Sequence, residues 1–374
     1  MCSSLFHESN FIFRDGRGFY HPKINREKCI NCGLCAKKCP VLQKKEGTRR
    51  VPDAYACQNL DAYIRENSSS GGVFSLLAQY VLRHGGIVVG CVMTDDCYEA
   101  VHKVIAHESD LKLLRGSKYL QSRADIVFPA IKDALRNGKT VLFSGTPCQV
   151  AGLKTYLSDV NTDHLITVDI ICHGAPSPEV WKQYVQHLET VAGSKAACVQ
   201  FRNKEQGWKT YSLVLSFQNG KEYRALSADD LYCRGFVGDY FLRRSCYDCY
   251  AKGELHVADI TLGDFWGIEN ICDEMDDNEG TSLVMLNTAQ GEAMFQQIKE
   301  CLKCQQVDFN ESVKHNPSYH KSSSRSVNRD CFMKRLHKKP IILQLETYCG
   351  EKLVFRIKRK LILFYQGLFK DCGN

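Results

Sequence analysis

The run CINCGLCAKKCP, Cys29 to Pro40, constrains this chain more than any other stretch. It sets Cys29, Cys32, Cys35 and Cys39 at the spacing of a bacterial ferredoxin loop, with proline after the last. Three thiolates in one tight loop can seize three corners of a 4Fe-4S cubane. The proline turns the chain away and keeps the fourth cysteine off that cluster. A zinc knuckle, the competing reading, usually pairs two CxxC-type units. A chain built around such a loop moves electrons.

Twenty cysteines in 374 residues are many, and they are scattered. The first residues, MCSSLFHESN, lack the basic region and apolar core of a signal peptide. Metal-bound and free thiols in a reducing cytoplasm are therefore expected, rather than a disulfide scaffold. The length suggests two or three domains with ample core. No apolar run is long enough to cross a bilayer. The net charge of +7 gathers late, in KSSSRSVNRD, FMKRLHKKP and FRIKRK. No nucleic-acid motif accompanies it. The tail EKLVFRIKRKLILFYQGLFK reads as a basic amphipathic helix packed on the body; contact with an anionic membrane surface or a partner is the alternative.

The pattern divides into residues 1–50, short and cysteine-rich; 55–150 and 151–320, alternating helix and strand; and 321–374, basic. KKEGTRRVPDAYA reads as a polar link, and SSSGGVFSLLAQYVLRHGG as a capped helix ending at Gly85-Gly86. IVVGCVM, TVLFSG and LITVDIIC read as buried strands, separated by the helix DIVFPAIKDALRNGK and followed by the helix PSPEVWKQYVQHLE. This alternation predicts an α/β layer with a largely parallel sheet. ACVQFRN and TYSLVLSFQNGKEYRAL form a β-rich insert, with a hairpin signal at Asn219-Gly220. VADITLGDFWG and TSLVMLN return as strands, then AQGEAMFQQIKECLK as a helix carrying Cys301 and Cys304. The fold class is α/β: a small ferredoxin-like iron–sulfur head, then an α/β body with a β-rich insert.

Several clusters in the body carry chemistry. Ser68 to Gly72 opens a helix, where hydroxyls and unpaired amides suit a phosphate; a serine cap on a glycine turn is the simpler reading. Arg115-Gly116-Ser117-Lys118-Tyr119 offers two cations and an aromatic on a flexible backbone, or a charged surface turn. Cys148 follows one strand and Cys172-His173-Gly174 another. In open α/β sheets, ligands bind beyond the carboxyl ends of strands. With Cys246 and Cys249 in SCYDC, these cysteines predict a second 4Fe-4S site. Buried structural thiols are the alternative for Cys148 and Cys172. Gly263 to Gly267 sets an acid, Asp264, beside two aromatics. Cys301 and Cys304 read as structural. GxGxxG, P-loop and HExxH patterns are absent.

The stretches SSSGGVFSLL, LRGSKYLQS, VLFSGTPCQVAGLK, ITVDIICHGAPSPEVW, RNKEQGWK, SCYDC and ADITLGDFWGIE resemble, in order, the coenzyme F420 hydrogenase/dehydrogenase beta-subunit family. The resemblance implies an FAD-containing iron–sulfur oxidoreductase. Such proteins pass electrons between a soluble carrier (deazaflavin, ferredoxin or nicotinamide), FAD and clusters. Bacterial relatives often accompany a partner enzyme of polysaccharide synthesis. Ser69, Ser70, Gly71, Gly72, Gly116, Ser117, Lys118 and Tyr119 become expected FAD contacts, with Lys118 offsetting phosphate charge. Cys148, Cys172, Cys246 and Cys249 become expected cluster ligands. His173 and Asp264 are the candidates for acid–base work. A flavin-free electron-relay adapter and a polysaccharide-modifying transferase are the competing functions.

One departure stands out. Similar ferredoxin-headed proteins carry two CxxCxxCxxxCP motifs, each lending its last cysteine to the other's cluster. Only the second is present here. The cluster on Cys29, Cys32 and Cys35 needs a fourth thiolate, with Cys2 and Cys39 the rivals. Either the head holds a single cluster or the N-terminus is incomplete.

Overall fold

The computed structural model describes residues 10–42, 51–253 and 257–350. The head, expected as loop, begins with a hairpin: β1 (Asn10–Arg14) pairs antiparallel with β2 (Tyr20–Ile24). Asp15 makes the turn, its carboxylate accepting the amides of Arg17 and Phe19, each at 2.9 Å. Gly18 lies at φ +83°, and a Cβ there would meet the Glu179 amide nitrogen at 2.4 Å. The turn can therefore press on the body only as glycine. Phe19 is buried, Arg14 pairs with Glu99 and Glu179, and Tyr20 donates to Glu99 at 3.1 Å.

The body starts earlier than the polar link suggests, with β3 (Asp53–Asn59). It continues through the helix Val73–Arg83, β4 (Ile87–Met93), β5 (Ala100–Ile105), β6 (Ser122–Arg123) and the helix Phe128–Arg136. Then come β7 (Val141–Gly145), the helix Pro147–Tyr156, β8 (Leu165–Ile170) and the helix Pro178–Ala192. The expected insert is a separate three-stranded sheet of β9 (Ala196–Asn203), β10 (Ser212–Phe217) and β11 (Glu222–Leu226). The chain returns as β12 (Ile260–Asp264), β13 (Ser282–Leu286), the helix Ala289–Gln296 and β14 (Leu302–Val307).

The main sheet runs β14-β3-β13-β12-β8-β7-β4-β5-β6. It is mixed, not largely parallel. β4, β7, β8 and β12 run parallel at its centre; β5, β13, β3 and β14 bring antiparallel pairings. The reason is the connections. A crossover helix lies between β7 and β8, whereas β4 reaches β5 through the short turn Thr94–Glu99, which can only reverse the chain. The central strands read as unbroken apolar runs because helices cover both faces; β13 is buried at every position.

Two further corrections concern the edge and the caps. The helix after β13 ends at Gln296, so Cys301 falls in a 3-10 turn and Cys304 on β14. That strand is an edge, mostly exposed, and its polar residues hide it from an apolar pattern. The helix Val73–Arg83 is capped by Gly72 in the left-handed region, not by a serine. The expected tail helix lies outside the described residues, as does Cys2. Among the described residues no helix is long and apolar enough to cross a membrane.

Candidate functional site

β7, β8 and β12 end on the same side of the sheet, and their following residues gather there. Cys148 sits in the first turn of the helix Pro147–Tyr156, which Gln149 fixes by accepting the Thr146 amide at 2.9 Å. Cys172 and His173 follow β8. Cys246 lies in the 3-10 turn Arg244–Asp248, and Cys249 just after it. Cys148, Cys172, Cys246 and Cys249 line one pocket, with Thr146, His173, Lys252 and Ser318. The sequence set of four thiols is thus brought together from three separate segments.

Polar contacts already address the sulfurs. The Ala175 amide donates to Cys246 Sγ at 3.3 Å, and Thr146 Oγ1 lies 3.2 Å from Cys148 Sγ. Burial pushes the Cys172 thiol up, and its neighbours Cys246 and Cys148 add to this. Burial raises Cys246 to about 11 and also raises Cys148. Thiols of this kind lose their protons when a metal binds the sulfur and releases them. Among the described residues no three His, Cys, Asp or Glu side chains form a set for one metal ion. A cubane instead gives each of four thiolates its own iron. Lys252 donates from Nζ to the carbonyls of Cys172 and Ser318, setting a cation at the rim.

His173 is held between Asp239, 2.8 Å from Nε2, and Ser318, 3.5 Å from Nδ1. Its ring meets Phe236 edge-on at 5.0 Å.

In the head, Cys29 and Cys32 lie in irregular chain outside helix and strand, Cys35 in the helical turn Leu34–Lys37, and Cys39 just beyond. Cys32 is exposed and the others half-buried. Gly33, at φ +69°, makes the bend between them. Lys38 contacts Ser158 and Asp159 on the body. Tyr250 lies beside the pocket cysteines. Its hydroxyl faces the Cys148 carbonyl at 3.5 Å, and burial raises its phenol, with Cys148, Cys249 and Cys39 adding.

The two expected FAD loops meet. Ser69 Oγ accepts the Ser117 amide at 2.7 Å and lies 2.9 Å from Ser117 Oγ. Not every residue there faces outward. Lys118 Nζ donates to the carbonyls of Leu113, Leu114 and Arg115, the end of the short helix Leu111–Leu114. The ammonium expected to offset phosphate charge therefore closes its own helix end. Gly71 is glycine for packing: a Cβ would meet the Cys57 carbonyl at 2.2 Å, and its amide goes to Ser282. Tyr119 packs between Phe201 and Phe236.

Asp264 ends β12 with both oxygens engaged, one by Arg202 and the other by the Trp208 indole at 3.0 Å. It is an ion-pair partner rather than a free acid. Trp208 stacks on Trp266 at 4.7 Å and 7°. Sequence reasoning passed over Arg202, Lys252, Tyr250 and Ser318. Arg202 lies inside the stretch RNKEQGWK, but a lone arginine on a strand carries no pattern. Tyr250 and Lys252 follow SCYDC directly, and that proximity was the available signal.

Three family models match this chain. The C-terminal model of the coenzyme F420 hydrogenase/dehydrogenase beta subunit matches residues 138–311, and the N-terminal model matches residues 54–125. A 4Fe-4S binding domain matches residues 22–42. The coenzyme F420-dependent sulfite reductase of Methanocaldococcus jannaschii is 27% identical over 122 residues, 33% of this chain and 19% of that protein. The match thus spans about a fifth of that relative's length. A chain of the F420-reducing NiFe hydrogenase complex of Methanosarcina barkeri aligns with a TM-score of 0.49 and 17% identity, over 81% of this chain and 94% of that one. The chain belongs to the coenzyme F420 hydrogenase/dehydrogenase beta-subunit family, with a 4Fe-4S binding segment at its head.

Proposed function

We propose that this protein is an iron–sulfur flavoprotein oxidoreductase passing electrons between a soluble carrier, FAD and two 4Fe-4S clusters. The observation that carries this reading is the convergence of Cys148, Cys172, Cys246 and Cys249 on one pocket. Cys29, Cys32 and Cys35 would hold the head cluster, with Cys39 or Cys2 as fourth ligand. Bound FAD would supply the exchange between a hydride and single electrons, which the clusters carry. The loops of Ser69, Ser70, Gly71, Gly72, Gly116, Ser117, Lys118 and Tyr119 would hold it. Ser69 and Ser117 bring them together, and Lys118 acts by shaping its loop.

The chain's own residues then do three things. The Ala175 amide, on Cys246 Sγ, and the Lys252 cation, on the Cys172 carbonyl, would lower the cost of negative charge on a cluster held in the pocket. Tyr250, whose hydroxyl faces the Cys148 carbonyl, would cover the pocket cluster on that side with a buried ring. His173, held by Asp239, offers a proton-exchanging group at the rim. The sulfite reductase relative is described as coenzyme F420-dependent, which favours a deazaflavin carrier. A partner oxidoreductase would receive the electrons.

Anaerobic purification tests this. The expected result is about eight irons and one FAD per chain, two 4Fe-4S clusters having four irons each. Iron absorption without flavin would contradict the flavoprotein reading and favour the relay adapter.

A further inference from the structure

Arg202 is a buried cation with two donors unmet among the described residues. Its side chain is 4% exposed, on a β9 that otherwise reads as ordinary insert strand. Nη1 is committed to Asp264. Nε and Nη2 are fully buried and have no hydrogen-bond partner among the described residues. Leaving two donors of a buried cation unmet is costly, and native interiors rarely do so. Nε and Nη2 form one flat edge of the guanidinium, a two-donor fork of fixed spacing.

The surroundings define what fits that edge. The guanidinium lies 4.3 Å from the Tyr211 ring centre and 5.6 Å from that of Trp266. Asp264 already balances its charge, so a full phosphate or carboxylate charge is not required. A flat group with two adjacent acceptors is, as when arginine reads the two acceptors on one edge of guanine. Position narrows it further. Lys204, two residues on, donates to the carbonyls of Arg65, Ser70 and Glu279 and ties this strand to the serine loop. On the other side, rings run Phe201, Tyr119, Phe236, His173 to the rim of the cysteine pocket. Arg202 thus stands between the loops that meet at Ser69–Ser117 and the four thiols.

We propose that the Nε–Nη2 edge of Arg202, held by Asp264, receives the N1–C2 carbonyl edge of a flavin-type ring. The ring of FAD and that of a free deazaflavin carrier present the same two acceptors. The assignment rests on the flavoprotein reading above and gives a ring-orienting role to Arg202, the first residue of the stretch RNKEQGWK.

The test uses the full chain, purified anaerobically with its iron and freed of flavin. Fluorescence titrations compare FAD, 1-deaza-FAD (in which a C–H replaces the N1 acceptor) and an 8-hydroxy-5-deazaflavin riboside, on the wild type and on Arg202→Lys. Lysine keeps the charge and loses the fork. Loss of a charge-assisted hydrogen bond weakens binding about tenfold or more. The wild type should therefore bind 1-deaza-FAD about tenfold more weakly than FAD, and Arg202→Lys should weaken FAD and abolish that difference. Weakening of the deazaflavin alone would support the same edge contact with the carrier as its source. Equal wild-type affinity for FAD and 1-deaza-FAD, with all ligands unaffected by Arg202→Lys, would overturn the inference and leave the flavoprotein reading standing. Iron-loaded wild type that binds neither ring type would overturn both. Should Arg202→Lys not fold, the wild-type comparison of FAD with 1-deaza-FAD decides for the FAD ring.

Discussion

The head and the body pocket each collect four cysteines, but by opposite routes. In the head, Cys29 to Cys39 are neighbours in sequence, and the helical turn among them buries no residue. They lie in one short stretch of chain, and one is exposed. In the body, Cys148, Cys172, Cys246 and Cys249 come from a helix start, a strand end and a 3-10 turn. Nothing gathers those until the sheet has formed. A cluster in the head would therefore order its own loop, whereas one in the pocket would depend on the whole fold.

That contrast can be broken at either end. The largest effect belongs to Cys29→Ser with Cys35→Ser, which should remove about half of the iron and leave the body's thermal unfolding unchanged. A fall in melting temperature comparable to loss of a core residue would show that the head shapes the body. Next comes Asp264→Asn. It strands the Arg202 cation inside the body and should cost about 3–5 kcal/mol in denaturant unfolding. A loss below about 1 kcal/mol would mean that solvent reaches the pair.

Lys252→Met should shift only the pocket cluster, lowering its reduction potential by roughly 50–100 mV in a redox titration, the scale of one partly screened charge nearby. A shift of the head cluster instead would misplace Lys252. Asp159→Asn removes the partner of Lys38 and Lys132 on the surface. It should change stability by under about 1 kcal/mol, measured by the same unfolding. A larger loss would give the docking of the head more weight than its exposed ion pair suggests.

The head motif was legible because its ligands share one loop. The pocket was legible only through strand ends: TVLFSG and LITVDIIC place Cys148 and Cys172 past the carboxyl ends of two neighbouring strands, where a CxxC pair completes the set. What the sequence hid has physical reasons. β3 and β14 carry polar residues and cysteines, so they lack strand alternation, and the sheet's mixed character follows from turns rather than from strand composition. Lys118 looks like a phosphate partner by type, yet burial turns its ammonium onto three carbonyls. Asp264 reads as a lone acid until Arg202 and Trp208, distant in sequence, arrive on both its oxygens.

The central claim is that the four body cysteines hold a second cluster. Iron and acid-labile sulfide counts on anaerobic protein, with EPR of the dithionite-reduced state, test it directly on Cys246→Ser with Cys249→Ser. The account predicts about eight irons in the wild type and about four in the variant, with the head cluster's signal retained. Equal iron in both proteins, with unchanged spectra, would contradict it.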